Sequence, residues 1–171
     1  MPVERPAELP PDVAFMQGMI VHHAQALEMA RLAPERSGSE SLRTLARRIF
    51  ETQEFEIEQM RRWLEERGRP VPDLHAPASA HAAHHADMAG MATPAQLDRL
   101  AQASGMAFDR LFLELMIRHH QGALVMVEEL LSSGGGRDPE TYMIVSHIDA
   151  DQRAEIARMQ DMLSSLQRGS E

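Results

Sequence analysis

The stretch "MIVHHAQALEM" at Met19–Met29 returns as "MIRHHQGALVM" at Met116–Met126, and this repeat decides the fold. Phe15, Met19, His22, His23, Ala26, Leu27 and Met29 recur as Phe112, Met116, His119, His120, Ala123, Leu124 and Met126, at a constant offset of 97. A second block follows each copy. Ile49, Gln53, Glu56, Ile57, Met60 and Leu64 recur as Ile148, Gln152, Glu155, Ile156, Met159 and Leu163, at an offset of 99. The two-residue difference falls in the turn between blocks, where an insertion adds little loop-closure entropy. Each half therefore reads as a helical hairpin whose apolar stripe it cannot cover alone. Two such hairpins packed together predict an all-α, four-helix bundle with a pseudo-twofold axis.

Punctuation in the sequence sets the expected boundaries. Residues 1–11 read as a disordered leader and 12–171 as one domain. Within it, 12–67 form the first hairpin, 68–105 a crossover and 106–167 the second hairpin. The first helix starts with Asp12 as N-cap and runs to about Leu32; the second runs from near Ser41 to the "GRP" stop. The third spans about Met106 to Leu131, ended by "SSGGG". The fourth opens at Asp138-Pro139, with proline at the first helical position, and ends near Gln167. The crossover "RPVPDLHAPASAHAAHHADMAGMATP" has no helical period and reads as a long loop, after which Thr93-Pro94 opens a short helix, "AQLDRLAQA".

On a helical wheel at about 100° per residue, Met16, Met19, Ile20, His22, His23 and Met29 fall within one arc of roughly 180°. Gln17, Val21, Ala24, Gln25 and Glu28 occupy the remainder. On the second helix Gln53, Glu56 and Met60 share one stripe, as Gln152, Glu155 and Met159 do on the fourth. The bundle interior is thus expected to hold four imidazoles, two carboxylates and two amides, ringed by thioethers. Each buried polar group left unpaired costs about 1–3 kcal/mol, so these groups must pair with each other, with water or with a metal.

Composition removes many alternatives. The chain has no cysteine, which excludes disulfides, thiolate metal sites and thiol nucleophiles. Its formal net charge of −9 argues against a nucleic-acid partner, and no apolar run is long enough to span a bilayer. The serines lie mostly in caps and turns, and no Gly-rich phosphate loop precedes a helix, so no nucleophilic or phosphoryl-transfer enzyme is indicated. Thirteen methionines and nine histidines remain as the soft and borderline donors.

Thioether with imidazole suits copper, above all Cu(I), with Cu(II) or another transition metal also open. The first-choice ligands are Met19, His22, His23, Met116, His119 and His120. A second choice is the loop set His81, His84, His85, Met88 and Met91, whose plain alternative is a low-complexity linker. Glu56, Glu155, Met60, Met159, Met29 and Met126 are candidates for a surrounding shell or a second layer. Met29 lies roughly 10 Å along the axis from His22 at 1.5 Å per residue, so one ion cannot bind both ends of a single motif. Two other readings stay open. One is a ferritin-like iron or manganese oxidoreductase using Glu56 and Glu155, although no Glu-x-x-His occurs on the four helices. The other is a structural or partner-binding bundle whose histidines only hydrogen-bond the glutamates.

The motifs "FMQGMIVHHAQALEMA", "FDRLFLELMIRHHQGALVMVEELL", "TQEFEIEQMRRWL" and "DQRAEIARMQDML" closely resemble the bacterial domain of unknown function 305 family over nearly the whole chain. The resemblance implies a ferritin-like bundle of two similar hairpins, a periplasmic or secreted location, and for some members copper binding linked to copper tolerance. It points to the paired-histidine positions as ligands and to a copper-handling protein as partner. It leaves oligomeric state open. Here the loop is richer in histidine than in methionine, which admits Cu(II) and other borderline ions. No signal peptide opens the chain, so the location follows from the resemblance alone.

Overall fold

The computed structural model describes residues 9–75 and 88–169. Most of the expected leader, and His81, His84 and His85, lie outside the described residues. The helices are α1 Pro11–Ala30, α2 Ala33–Arg36, α3 Glu40–Glu66, α4 Pro94–Gln102, α5 Gly105–Ser132 and α6 Pro139–Arg168. Their ends follow capping chemistry. The Ser39 hydroxyl accepts from Leu42 N–H, Thr93 and Gln96 close a capping box on α4, and Asp138 accepts from Glu140 and Thr141 N–H.

Two local expectations change. Asp12 is not the cap of α1: the helix starts one residue earlier, because Pro11 presets its first turn. The Asp12 carboxylate instead accepts from Gly136 N–H at 2.6 Å, tying the start of α1 to the α5–α6 turn. The "PERSGS" break also contains one helical turn, α2.

Three anchors fix the topology. Ser37, before α3, bridges to Gly105 at the start of α5, and its hydroxyl donates to Asp109 at 2.5 Å. At the other end Asp12 meets Gly136, and Trp63 Nε1–H donates to Thr141 Oγ1 at 2.9 Å. Helices α1 and α6 therefore run one way and α3 and α5 the other. Helix α1 packs on α3 and α5, while α6 packs on α5 and α3. This is the ferritin-like order with one long crossover.

Because α1 and α5 are antiparallel, the repeat places equivalent residues at opposite ends. Met16, Met19 and Met60 pack with Ala123, Val127 and Ile144 in one apolar cluster. Met29, Ala26 and Ile49 pack with Phe112, Met116 and Met159 in the other.

The outer arc of α1 is not solvent-facing as the wheel implied. Val21 and Gln25 are buried, and the end of the crossover, residues 88–93, lies over them as a strap. The Gln25 amide donates to Ala92 O at 2.9 Å and accepts from Ala92 N–H at 2.8 Å, as a neighbouring strand would. Gly122 stands where the repeat has Gln25. A Cβ there would lie 1.9 Å from Ala89 O, and one on Gly90, whose φ is +76°, would lie 2.3 Å from Arg118 O. One copy grips the strap and the other makes room for it.

Gly122→Ala should therefore force the strap off α5 and destabilise the fold by about 1–3 kcal/mol in urea unfolding, despite alanine's better helix propensity. Gly18→Ala, whose new Cβ meets nothing closer than 3.5 Å, should be neutral or stabilising.

Candidate metal centre

Between the two apolar clusters the four helices bring their histidines into one layer. His22, His23, His119 and His120 are all fully buried. The His22 and His119 rings stack across the α1–α5 contact, centroids 3.9 Å apart and tilted by 35°. The outer pair is held from the second helix of each hairpin: His23 Nε2 lies 2.6 Å from Glu56 Oε2, and His120 Nε2 lies 2.6 Å from Glu155 Oε2. Gln53 Nε2 comes within 3.5 Å of His120 Nε2. These are the stripe residues that the repeat aligned, now facing each other across both hairpins.

The hydrogen bonds decide which nitrogens keep a lone pair. A carbonyl oxygen only accepts, so the 2.9 Å contact between His22 Nε2 and Ala89 O places the proton on Nε2. Although a protonated Glu56 would donate to His23 Nε2, the partner carboxylate when ionised imposes the same tautomer on His23 and His120. Nδ1 of each of these rings is then a bare acceptor. Nδ1 of all four histidines is buried without a partner, as are His119 Nε2, Gln53 Oε1, Glu56 Oε1 and both Gln152 side-chain atoms. Native interiors leave few such atoms, and here they are gathered in one layer.

Burial controls the charge state. It lowers the His22 and His23 imidazoles from 6.5 to about 3 and drives His119 well below its ordinary value. It also raises the Glu56 carboxyl from 4.5 to about 7, with the Glu155 charge adding to the effect. At neutral pH these imidazoles are uncharged, the form in which histidine ligates a metal.

The donor set fits a soft ion better than a preformed hard-ligand cage. Among the described residues no three His, Asp or Glu side chains already surround one point at metal-holding distance. What the layer offers is lone-pair nitrogens oriented by carboxylates, an arrangement that raises ligand basicity, with thioethers on either side. Met19 and Met60 lie in one flanking cluster, Met116 and Met159 in the other. The six first-choice residues therefore meet at one layer, but with their two methionines on opposite faces of it. Met29 is fully buried in the second cluster. Met126 is half-buried beside the strap, and Met91 is nearly buried there.

Sequence reasoning missed the strap contacts of Ala89, Gln25 and Gly122. It also missed Asp151 and His147 on α6, which couple electrostatically to Glu56 from the solvent side. The i,i+4 spacing of His147 and Asp151 was the available sign.

Fold and site together define a helical bundle with a carboxylate-braced imidazole layer. The chain belongs to the Domain of unknown function (DUF305) family, whose profile matches residues 12–163. A DUF305 fragment from Deinococcus radiodurans is 36% identical with a TM-score of 0.77, covering 94% of this chain and 99% of its own. A DUF305 protein from Streptomyces coelicolor, described as secreted, is 28% identical with a TM-score of 0.78 over 91% of this chain and 93% of its own. CopM in its Cu(I)-bound form is 33% identical with a TM-score of 0.70 over 90% of this chain and 96% of its own, and CopM is also known bound to Cu(II) and to Ag. No curated protein sequence matches the chain. Among the described residues no helix is long and apolar enough to cross a membrane.

Acid should destabilise the metal-free protein. Imidazoles whose folded pKa lies below the unfolded value stabilise fully above 6.5, and that contribution is lost as pH falls toward 3. Glu56 has the opposite sign: its raised pKa favours the fold below 4.5, and that contribution is lost as pH rises through 7. Unfolding between these limits takes up protons on His22, His23 and His119 and returns one from Glu56. Urea unfolding at pH 7, 6 and 5 should show falling stability, and Glu56→Gln should steepen the fall by removing the opposing proton.

Proposed function

We propose that this protein binds copper, as Cu(I) first and Cu(II) or another transition ion second, and that it sequesters or hands on the ion outside the cytoplasm. The observation that carries the reading is the set of partnerless, lone-pair nitrogens in one buried layer, next to methionines. His22, His23, His119 and His120 would hold the ion, with Met19 or Met116 as a thioether donor from either face. Glu56 and Glu155 would hold the Nε2 protons of His23 and His120 and so keep Nδ1 turned to the metal. Bound copper would supply no bond-breaking chemistry here; it is cargo. CopM's copper-bound forms support the choice of ion, and the secreted relative supports a periplasmic or secreted setting. A copper-handling protein is the corresponding partner.

Other readings have less support. In an iron or manganese oxidoreductase Glu56 and Glu155 would be ligands, yet one oxygen of each is already taken by a histidine. A bundle without metal would need buried water to satisfy the orphaned nitrogens.

The parent protein should bind Cu(I) stoichiometrically in competition with a chromogenic chelator, and the His22→Ala, His23→Ala, His119→Ala, His120→Ala variant should lose that binding while keeping a helical circular-dichroism spectrum. Glu56→Gln should weaken affinity about 10–100-fold, the range for a group that orients a ligating histidine. Unchanged affinity in the quadruple variant would remove the layer as the site. Iron in protein purified without added copper, lost in Glu56→Gln, would replace copper with the oxidoreductase reading.

A further inference from the structure

The first methionine of the strap and the second half of the repeat meet on the outside of α1. A Cβ on Gly18 would lie 3.5 Å from Met126 Cε and 3.9 Å from Met88 Sδ. Two thioether side chains, one from the strap and one from α5, thus converge on a residue of α1 that has no side chain. Neither is sealed in the core: Met88, Met126 and Gly18 are all half-buried.

The repeat shows how this spot departs from ordinary packing. Gly18 corresponds to Leu115, which is buried, and Met126 corresponds to Met29, which is fully buried. At one end of the α1–α5 contact Leu115 and Met29 complete the core. At the other end the leucine is replaced by a notch, the methionine stays near the surface, and the strap contributes a second thioether.

We propose that Met88 and Met126, closing over Gly18, form a separate outer site for a soft monovalent d10 ion, Cu(I) or Ag(I), which receives the ion before the histidine layer does. Thioethers are neutral, so this pair holds soft ions and discriminates against hard ones such as Mg2+ or Ca2+. Each methionine has three rotatable bonds, enough for both sulfurs to turn toward one ion without backbone movement. The site also adjoins the buried layer: the residue after Met88 is Ala89, whose carbonyl holds His22 Nε2. The inference takes from the proposed function only the softness of the ion and does not require the layer to be its final resting place.

The test uses the full chain with 13C-labelled methionine methyls and substoichiometric Ag(I). The Met88 and Met126 methyl resonances should move first, before those of Met19 and Met116. Met88→Leu/Met126→Leu, which conserves volume at two half-buried positions, should abolish the early shifts and slow Cu(I) loading of the layer severalfold, with final stoichiometry lower by the outer ion. Early movement of Met19 or Met116 with Met88 and Met126 silent would overturn the proposal, and so would parental loading and stoichiometry in the double variant. Shifts confined to Met88 and Met126, with the histidine ring signals unchanged at excess Ag(I), would uphold the outer site and refute the layer.

Discussion

The structure depends on placing four imidazoles in the centre of a bundle and giving three of them, His22, His23 and His120, one defined hydrogen bond each. The stack of His22 on His119 needs α1 and α5 to be antiparallel and closely packed. The pairs His23–Glu56 and His120–Glu155 need each second helix to follow its own first helix in the same register. Once these contacts are met, little freedom remains in how the hairpins dock. The two apolar clusters on either side are where the burial free energy lies, and they oppose the desolvation of the polar layer between them.

Departures from symmetry carry as much information as the repeat. At the position shared by Gln25 and Gly122, one copy offers an amide that mimics a neighbouring strand and the other offers bare backbone. The strap crosses between them, and its Ala89 carbonyl fixes the tautomer of His22 alone. The strap offers no such carbonyl to His119, whose backbone coupling is to His22 across the α1–α5 contact. The two central rings are stacked copies of one another in sequence but not in surroundings: only His22 is held by the strap.

Much of this was legible in the residues. The helix starts at Thr93 and Asp138 follow from local capping chemistry, and the layer follows from the phase of His, Glu and Gln on their stripes. These depend on periodicity, which a single sequence displays. The strap was not legible, because it has no period of its own and its seat is a glycine inside a helix. For the same reason the wheel, which left Val21 and Gln25 outside the apolar arc, gave no sign that the strap buries them. The cap was misplaced by two residues, at Asp12 and not Pro10, because Pro11 starts the helix without a side-chain cap. Met19 and Met116 look interchangeable by offset, and only the antiparallel docking sends them to opposite faces of the layer.

The same burial that makes the layer costly also determines how an ion could leave it. Protons compete with metals for imidazole lone pairs, and in an exposed site mild acid displaces the ion. Here desolvation lowers His22 and His23 to about 3 and His119 well below its ordinary value, so protons compete weakly for these lone pairs near neutral pH. Reaching the lone pairs from outside requires the layer to open. Helix separation would break both apolar clusters, whereas lifting the strap breaks the contacts of Gln25 and His22 with residues 89–92 and the seat on Gly122. The strap is the smaller disruption, and it borders the outer thioether pair. The histidines are thus covered on this side by a segment held by three side-chain hydrogen bonds, a smaller set of contacts than the helix packing around them.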